Sequence, residues 1–562
     1  MLQTIRSLLD GLQDQFAAIQ TAIAPVRLTR WEMFQLGFRK LYHDLMIATG
    51  KVSPAAKYAA LAVPILITAL VIDEIRVNRQ SLRHRLRLPY VQPPKGVHRW
   101  DYAAILDEGA RKHPDSPFII SYSGFEYVVF PPSMWDEVKR VPQAKASAME
   151  YFKHVFFGGW GFLGTDISAL HKTIGTDLTR AIPTRTQAHY ESARFASEVA
   201  LGSCTEWKSF KMYWTLQDIV STTNAIGLVG EELGTDPRWR SAVQQFPMAI
   251  VLGISVSSLA PRVLRPVVTW FIFLPAWALY WWMRFLLRPV VRKDIREYEA
   301  AAKEIDKNQL VQASPDKKFP MTAWLMTRYR PLERNPQQVA HDFIVGSFES
   351  TASTSGTFYF IMAELVTRPD LCDELRDEIS QIMIDGKLPR TNLAELKKLD
   401  SVMRECSRWN PFGHMALFRR LREPVQLSAG PELPAGTVMS VDIHRVPRSE
   451  QLWSDPDIFD PMRFLKLRQL PGREDRHQFT SLGADTPGWG DGSQACPGRT
   501  FAGNTLKVAL AYLLMNYDFR IPEGGNKPKR YSMPNGSFRP DMGVRIEFRE
   551  RKVATQEAKK ER

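Results

Sequence analysis

The run Trp489-Gly-Asp-Gly-Ser-Gln-Ala-Cys496-Pro-Gly-Arg499 places one cysteine in a glycine-rich loop directly ahead of a long apolar pattern. Gly490, Gly492 and Gly498 let the backbone turn tightly and approach a flat ligand without side-chain clash. Pro497 suits a first helical position, and Phe501, Leu506, Val508, Leu510, Leu513 and Leu514 continue as a helix. A sulfur at a helix N-terminus lies among unpaired N–H groups and the positive end of the helix dipole. That setting lowers a thiol pKa and suits a thiolate that ligates a metal. The alternative is a buried structural cysteine beside an ordinary glycine turn.

Apolar residues make up 44% and charged residues 24% of the 562, a balance with ample material for a core. The motifs stretch from about residue 90 to residue 550, so one large domain behind an N-terminal segment fits better than several small ones. The four cysteines, Cys204, Cys372, Cys406 and Cys496, lack the paired spacing of a zinc site or disulfide framework, which points to a reducing compartment. A net charge of +14 suits a nucleic acid, an anionic membrane or an acidic protein. No basic helix carries interleaved aromatics, so a nucleic-acid partner is not expected.

The positive charge instead follows a membrane candidate. Arg76, Arg79, Arg83, Arg85 and Arg87 come after an uncharged stretch of 15 residues, Tyr58 to Ile72. That is short for a bilayer core of about 30 Å and needs local thinning or snorkelling of Lys57. If it spans, the arginines put the rest of the chain in the cytosol. A second apolar stretch of 18 residues, Pro266 to Met283, is rich in Trp and Tyr. A span there would divide one site between two sides of the membrane, so an element that dips into the interface is expected, with a buried hairpin as the alternative.

Residues 1–50 read as amphipathic helix of unclear role without a cleavable signal peptide. Leu88-Pro-Tyr-Val-Gln-Pro-Pro-Lys-Gly96 is a stiff, turn-rich link. Alternation at Phe118–Tyr122 and Glu126–Phe130 predicts a strand pair, and Pro424–Leu427 with Thr437–His444 a second, joined by 428–436. Helical periodicity dominates from Met134 onward, and the tail 551–562 is charged. The fold class is mainly α with small β-sheets.

Two constellations lie upstream of the cysteine. Asn392 through Met403 reads as a helix ending near Asn410-Pro411, with Glu405 and Arg408 three apart on one face. Taken alone this is a surface ion pair. Pro336–Thr367, bracketed by Asn335-Pro336 and Arg368-Pro369, predicts one helix of about 48 Å. Ser350, Ser353, Thr354 and Thr357 form a hydroxyl stripe on it, which either back-bonds to carbonyls or, flanked by Phe343, Phe348, Phe358 and Phe360, is buried for a reason.

These residues resemble the cytochromes P450, the haem-thiolate monooxygenases, over about 97–550. Lys397-Lys-Leu-Asp-Ser401, His477-Gln-Phe479 and Ala495–Ala502 are similar to membrane-bound fungal enzymes of secondary metabolism, including diterpene oxidases. Two positions depart from the family pattern: Trp489 stands where Phe is usual, and Gln494 where a basic residue is usual.

The resemblance implies haem b with Cys496 as axial thiolate to the iron, donating charge that favours O–O cleavage. It implies Trp489, Gly490, Gly492 and Gly498 as the haem loop, and a structural triad of Glu405, Arg408 and Arg463, the last from Pro461-Met-Arg463-Phe464. With Gln494 uncharged, His171, Arg180 and the pair Arg419-Arg420 are candidates for the haem carboxylates, and Arg445 a further one. The long helix would deliver protons through hydrogen-bonded hydroxyls. Two registers are open there. Gly346–Thr351 looks like the usual signature, whereas spacing to Glu405 and Pro369 puts Ser353-Thr354 at the alcohol position with Ala352 in place of the acid. The second is adopted, with Glu349 one turn earlier on the same face feeding protons to Ser353.

The implied organisation is an N-terminal segment 1–87 with a membrane anchor at about 58–72, a hinge at 88–96, a catalytic domain over 97–550 and the tail. The implied activity is hydroxylation of a lipophilic polycyclic molecule, a terpenoid or hybrid alkaloid, at the endoplasmic reticulum with the catalytic domain facing the cytosol. No flavin or nicotinamide fingerprint occurs in the chain, so electrons come from an NADPH-cytochrome P450 reductase, with cytochrome b5 as a second donor. Alternatives are oxidative coupling, desaturation, epoxidation or rearrangement, and, from another class, a non-catalytic haem or lipid binder.

Overall fold

Asn335 starts the longest internal helix by accepting the Gln338 N–H at 2.9 Å through its side chain, with Pro336 in the first position, where a missing N–H costs nothing. The helix runs Pro336–Leu365, two residues short of the expected end, because Arg368-Pro369 already begins the next one. It is buried on almost every side, so it behaves as the axis around which the other helices pack.

The structure is a computed structural model and describes residues 68, 70–72, 81–122, 124–156, 165–260, 264–304, 320–330, 333–388, 392–532 and 538–551. The anchor expected at about 58–72 lies outside the described residues apart from Thr68 and 70–72, as do residues 1–50 and the tail from 552. Contacts divide the chain into two units: Leu82–Leu259 with Ile272–Arg562, and Met1–Ser81 with Ala260–Phe271. Everything below concerns the first unit unless stated.

Its principal helices are α1 (Thr186–Leu201), α2 (Met212–Val229), α3 (Pro237–Leu259), α4 (Leu274–Glu304), α5 (Pro336–Leu365), α6 (Lys397–Trp409) and α7 (Arg499–Asn516). Helix α5 packs along α2 and meets α3, α4, α6 and α7, while α7 also packs on α1. Gly234, in the short helix Glu231–Gly234, touches α2 so closely that a Cβ would lie 2.6 Å from the Ile226 backbone nitrogen.

A five-stranded sheet flanks the helices. Its strands are β1 (Phe118–Tyr122), β2 (Phe125–Phe130), β3 (Ala146–Ser147), β4 (Met415–Leu421) and β5 (Val438–Asp442), in the order β1-β2-β5-β4-β3. Pairing is antiparallel except between β2 and β5, where Tyr127 faces Val438. The first strand pair thus forms as expected. The second does not: Pro424–Leu427 supplies only a bridge from Val425 to Leu433, and β5 pairs instead with β4, a strand that the sequence pattern hides. Between Ala416 and Arg419 the register shifts, with Leu417 at φ 53°, a bulge that re-aims the residues after it. The hinge 88–96 is not a free link throughout. Val91 N–H donates to Ile119 at 2.9 Å and Ile119 N–H to Pro89 at 2.8 Å, so its start is pinned to β1.

Three further segments, Lys208–Lys211, Arg545–Glu550 and Tyr517–Arg520, form a small sheet, and Arg530–Ser532 pairs with Phe538–Pro540. Around Asn392 the expected single helix breaks into one turn, Asn392–Ala394, and α6.

Because the obstruction at Gly234 is backbone and cannot rotate away, Gly234→Ala is expected to destabilise the protein by about 1–3 kcal/mol. Thermal unfolding checks this, and an unchanged midpoint would show that the helix shifts freely.

Candidate functional site: the cysteine loop and the open face of the long helix

Residues 487–498 are held by a dense set of bonds. The Cys496 N–H donates to the Trp489 carbonyl at 2.8 Å, and the Trp489 indole N–H donates to the Phe479 carbonyl at 2.8 Å. Gly490 and Gly492 both adopt left-handed φ, 67° and 68°, and a Cβ on Gly492 would lie 2.9 Å from the Lys139 carbonyl oxygen. Only glycine fits there. Gly498 is different: its φ is −87° and space for a Cβ exists, so its freedom is not what the loop needs. It is the N-cap of α7, which begins at Arg499, so Pro497 lies before the helix and not at its first position.

Burial pushes the Cys496 thiol up to about 11, against the pull of the Gly498 and Arg499 N–H groups and the Arg499 charge; Glu349 adds to the upward push. The surroundings thus favour the thiol over the thiolate. A cation at the sulfur must displace that proton, and the two N–H groups are what the thiolate then leans on.

Two residues, Asp491, which the sequence reading passed over, and Gln494, whose role it missed, fasten the loop from outside. Asp491 accepts from the Trp135 indole at 2.8 Å and from Lys139 Nζ at 3.1 Å, tying the loop to the helix Trp135–Arg140. Gln494 donates to the Ala146 carbonyl at 2.9 Å and accepts the Ala148 N–H at 2.8 Å. Its uncharged amide is thus committed to the backbone at β3. The acidic residue after a positive-φ glycine was a readable signal; the Gln494 clasp left none.

One part of α5, including the Glu349 whose charge acts on the Cys496 thiol, opens. Glu349, Ala352 and Ser353 are exposed in the midst of buried neighbours, at i, i+3 and i+4, and a Cβ on Gly356 would meet only the Phe412 ring, at 4.0 Å. The hydroxyl stripe is therefore not uniformly buried: Ser353 faces the opening, and Thr354 and Thr357 are buried. Ser353 Oγ donates back to the Glu349 carbonyl at 3.3 Å, Ser350 Oγ to Ser347 at 3.2 Å, and Thr357 Oγ1 to Ser353 at 3.1 Å. The Asn224 side chain donates to the Ser350 carbonyl at 2.9 Å and accepts from Thr505 at 2.7 Å, linking α2, α5 and α7.

The candidate cations fare differently. His171 Nε2 lies 3.2 Å from a Glu349 carboxylate oxygen, and although burial alone would depress the imidazolium, Glu349 carries its pKa above the ordinary value. Arg180 is exposed. Arg445 is paired to Asp107 at 2.6 Å. Arg419 is 4% exposed; its Nη1 donates to the Phe418 carbonyl at 2.8 Å, its Nη2 has no partner among the described residues, and burial pulls its pKa down to about 10. A buried guanidinium with an unpaired nitrogen and no carboxylate partner among the described residues suits an anion. An anionic, flat group with a metal that accepts a thiolate fits this donor set, so the residues present fit a haem.

On α6 and the segment after β5, Glu405, Arg408 and Arg463 come together. Arg408 grips the fully buried Glu405 through two bonds of 2.8 and 2.7 Å, and Arg463 Nε lies 3.2 Å from Glu405 Oε2. The remaining guanidinium N–H groups take main-chain carbonyls of Pro447, Ser454, Asp455, Pro456 and Ile458.

The comparison with known proteins meets this geometry. The family model described as Cytochrome P450 matches residues 262–548. The chain is 42% identical over 544 residues to the cytochrome P450 monooxygenase ffsD of Aspergillus flavipes, covering 97% of this chain and 100% of that one. The chain belongs to the cytochrome P450 family. Another relative of this P450 is a pyrichalasin C-18 hydroxylase of Pyricularia grisea, 36% identical with 94% of this chain and 96% of the relative covered. A retinoic-acid-bound cyanobacterial P450 shares the fold, with a TM-score of 0.58 at 15% identity over 83% of this chain and all of that one. The protein is accordingly an oxidoreductase, a P450 monooxygenase.

Two outcomes are expected. Arg408→Ala leaves a buried carboxylate uncompensated at a cost of about 3–5 kcal/mol and abolishes haem incorporation; normal haem content in that variant would contradict it. The His171 shift is upward, so the pair with Glu349 stabilises the fold below the ordinary histidine pKa of about 6.5 and loses that effect as pH rises through the elevated value. Thermal unfolding of Glu349→Gln should therefore fall furthest below wild type between about pH 5 and 6.5 and converge with it in mild alkali. A pH-independent gap would remove the charge from this contact.

Proposed function

We propose that this P450 oxidises a lipophilic polycyclic secondary metabolite, a terpenoid or hybrid alkaloid, by inserting one oxygen atom of dioxygen into a C–H bond. The observation that carries the reading is that Cys496, half-buried just ahead of α7, feels the charge of Glu349, which shares the open stretch of α5 with Ala352 and Ser353. A relative named for hydroxylating a single carbon supports insertion over coupling.

Bound haem supplies the oxidising chemistry. The chain's own residues do the rest. Cys496 would hold the iron as a thiolate steadied by the Gly498 and Arg499 N–H groups, and Arg419 would take a haem carboxylate. The second oxygen atom must leave as water, so protons have to reach the site. Glu349 accepts and releases them at its carboxylate beside His171, and Ser353 passes them once its Oγ turns from the Glu349 carbonyl. Thr354 lies one residue further and is buried, so its hydroxyl faces away from the opening.

The enzyme works at the endoplasmic reticulum membrane, facing the cytosol, and takes electrons from NADPH-cytochrome P450 reductase, with cytochrome b5 as auxiliary donor. Support for membrane contact comes from α4, where Leu274, Trp277, Trp281 and Phe285 are 39–61% exposed along one face and Arg284 lies over the Trp281 ring at 4.8 Å. By length and composition one described helix, Pro237–Leu259, could cross a bilayer, as could Arg265–Ile272 and Leu274–Ala302 taken together. The core helices of soluble proteins pass the same test.

A second reading, desaturation or oxidative coupling, is favoured by Ala352, which leaves the open face without a carboxylate at the usual position. Product formed under heavy-isotope dioxygen separates the two: one labelled oxygen per turnover is expected, and an unlabelled product would establish the second. Ser353→Ala is expected to keep NADPH consumption while diverting it from product to peroxide. Unchanged coupling would transfer the role to Ser350 or Thr351.

A further inference from the structure

Helix α6 carries a second set of buried charges beside the Glu405 network. Asp400 and Arg404, 4% and 1% exposed, lie one turn apart and face residues 478–486. Arg404 donates through Nη1 to the Gln478 carbonyl and through Nη2 to Thr486 Oγ1 and, at 3.2 Å, to Asp485 Oδ2; its guanidinium lies 4.7 Å from the centre of the buried Phe464 ring. Asp400 Oδ2 accepts the Phe479 N–H at 2.9 Å and lies 3.5 Å from Arg468, while its Oδ1 is 2.6 Å from Lys507 Nζ on α7.

The two side chains therefore grip one peptide unit from both ends, its C=O at Gln478 and its N–H at Phe479. What that peptide positions is visible at the next bond. The Phe479 carbonyl is the acceptor of the Trp489 indole, the Phe479 ring stands edge-on to that indole at 5.4 Å, and the Trp489 carbonyl accepts the Cys496 N–H. Gly503 brings α7 against the same segment, since a Cβ there would lie 2.8 Å from Thr480 Cγ2. An unbroken route of charge-assisted and neutral bonds runs from α6 to the cysteine.

We propose that Asp400 and Arg404 are positioning residues that orient the Gln478–Phe479 peptide, and through it the Trp489 indole, so as to set the electron richness of the Cys496 thiolate. The inference rests on the haem-thiolate reading above. It predicts more than a loss of stability. Without Asp400 the Phe479 N–H is buried and unpaired, the peptide is free to rotate, and the indole loses a fixed acceptor.

The test uses haem-loaded full-length protein and three readouts: the reduction potential, the rate at which the reduced carbon monoxide complex loses its strongly red-shifted Soret band, and the unfolding temperature. Asp400→Ala and Arg404→Ala are expected to displace the potential and to speed loss of the band about tenfold, the equivalent of one hydrogen bond to a charged group. Asp400→Asn, which keeps an acceptor for the Phe479 N–H, is expected to stay near wild type in potential and band lifetime. Arg376→Ala removes a guanidinium that holds the Leu514 and Tyr517 carbonyls at 2.9 and 3.2 Å without reaching Trp489, and should lower only the unfolding temperature. Wild-type potential and band lifetime in Asp400→Ala and Arg404→Ala, however unstable the proteins, would overturn the proposal. If those variants do not fold, Trp489→Phe decides, because it deletes only the last donor: a displaced potential supports the route and an unchanged one overturns it. Absence of the red-shifted band in wild type would instead sink the haem-thiolate reading itself.

Discussion

Charge buried on α6 is the constraint from which the cysteine side of the molecule follows. Asp400, Arg404, Glu405 and Arg408 are all at most 4% exposed, and removing so many ions from water is affordable only if each finds partners. Each has a counter-ion, Arg468 and Lys507 for Asp400, Asp485 for Arg404, and the Glu405 network for the rest, and the hydrogen-bonding capacity left over recruits main chain: carbonyls from Pro447 to Ile458 for the arginines of the triad, and the Gln478–Phe479 peptide for Arg404 and Asp400. A stretch of more than thirty residues with little regular structure acquires a fixed path in this way. It ends at Trp489, where the cysteine loop begins.

The loop then resolves a conflict between burial and ionisation. A dry pocket strengthens every electrostatic contact inside it, yet the same dryness drives the Cys496 thiol towards its protonated form. The start of α7 answers with N–H groups that have no carbonyl partner of their own in the helix. Glycines at 490 and 492 make the approach possible, and Asp491 and Gln494 fix its direction by bonds to two different elements. Helix α5 contributes polar groups to a predominantly apolar surround, and Arg419 is buried with a nitrogen unpaired among the described residues.

Much of this was legible in the sequence where chemistry and backbone geometry leave local marks. The glycine loop and Cys496 could be read because positive φ demands glycine, and α5 because Asn335-Pro336 and Arg368-Pro369 punctuate it. Glu405 and Arg408 could be placed on one face by spacing. What could not be read depends on partners distant in the chain. The Gln494 amide bonds to backbone groups more than 340 residues away, which no local pattern encodes. Strand β4 was hidden because Arg419 and Arg420 break its apolar alternation, although Arg419 is buried in the fold. The opening on α5 was hidden for another reason: residues 346–357 are mostly small, so neither face announces itself as the one left uncovered.

The most direct measurement is the carbon monoxide difference spectrum of the reduced chain expressed in microsomes, recorded beside Cys496→Ala. A strongly red-shifted Soret band in the wild type that is lost in the variant is the expected result. An unshifted band or none in the wild type, or a red-shifted band that survives in Cys496→Ala, would contradict Cys496 as the ligand to iron.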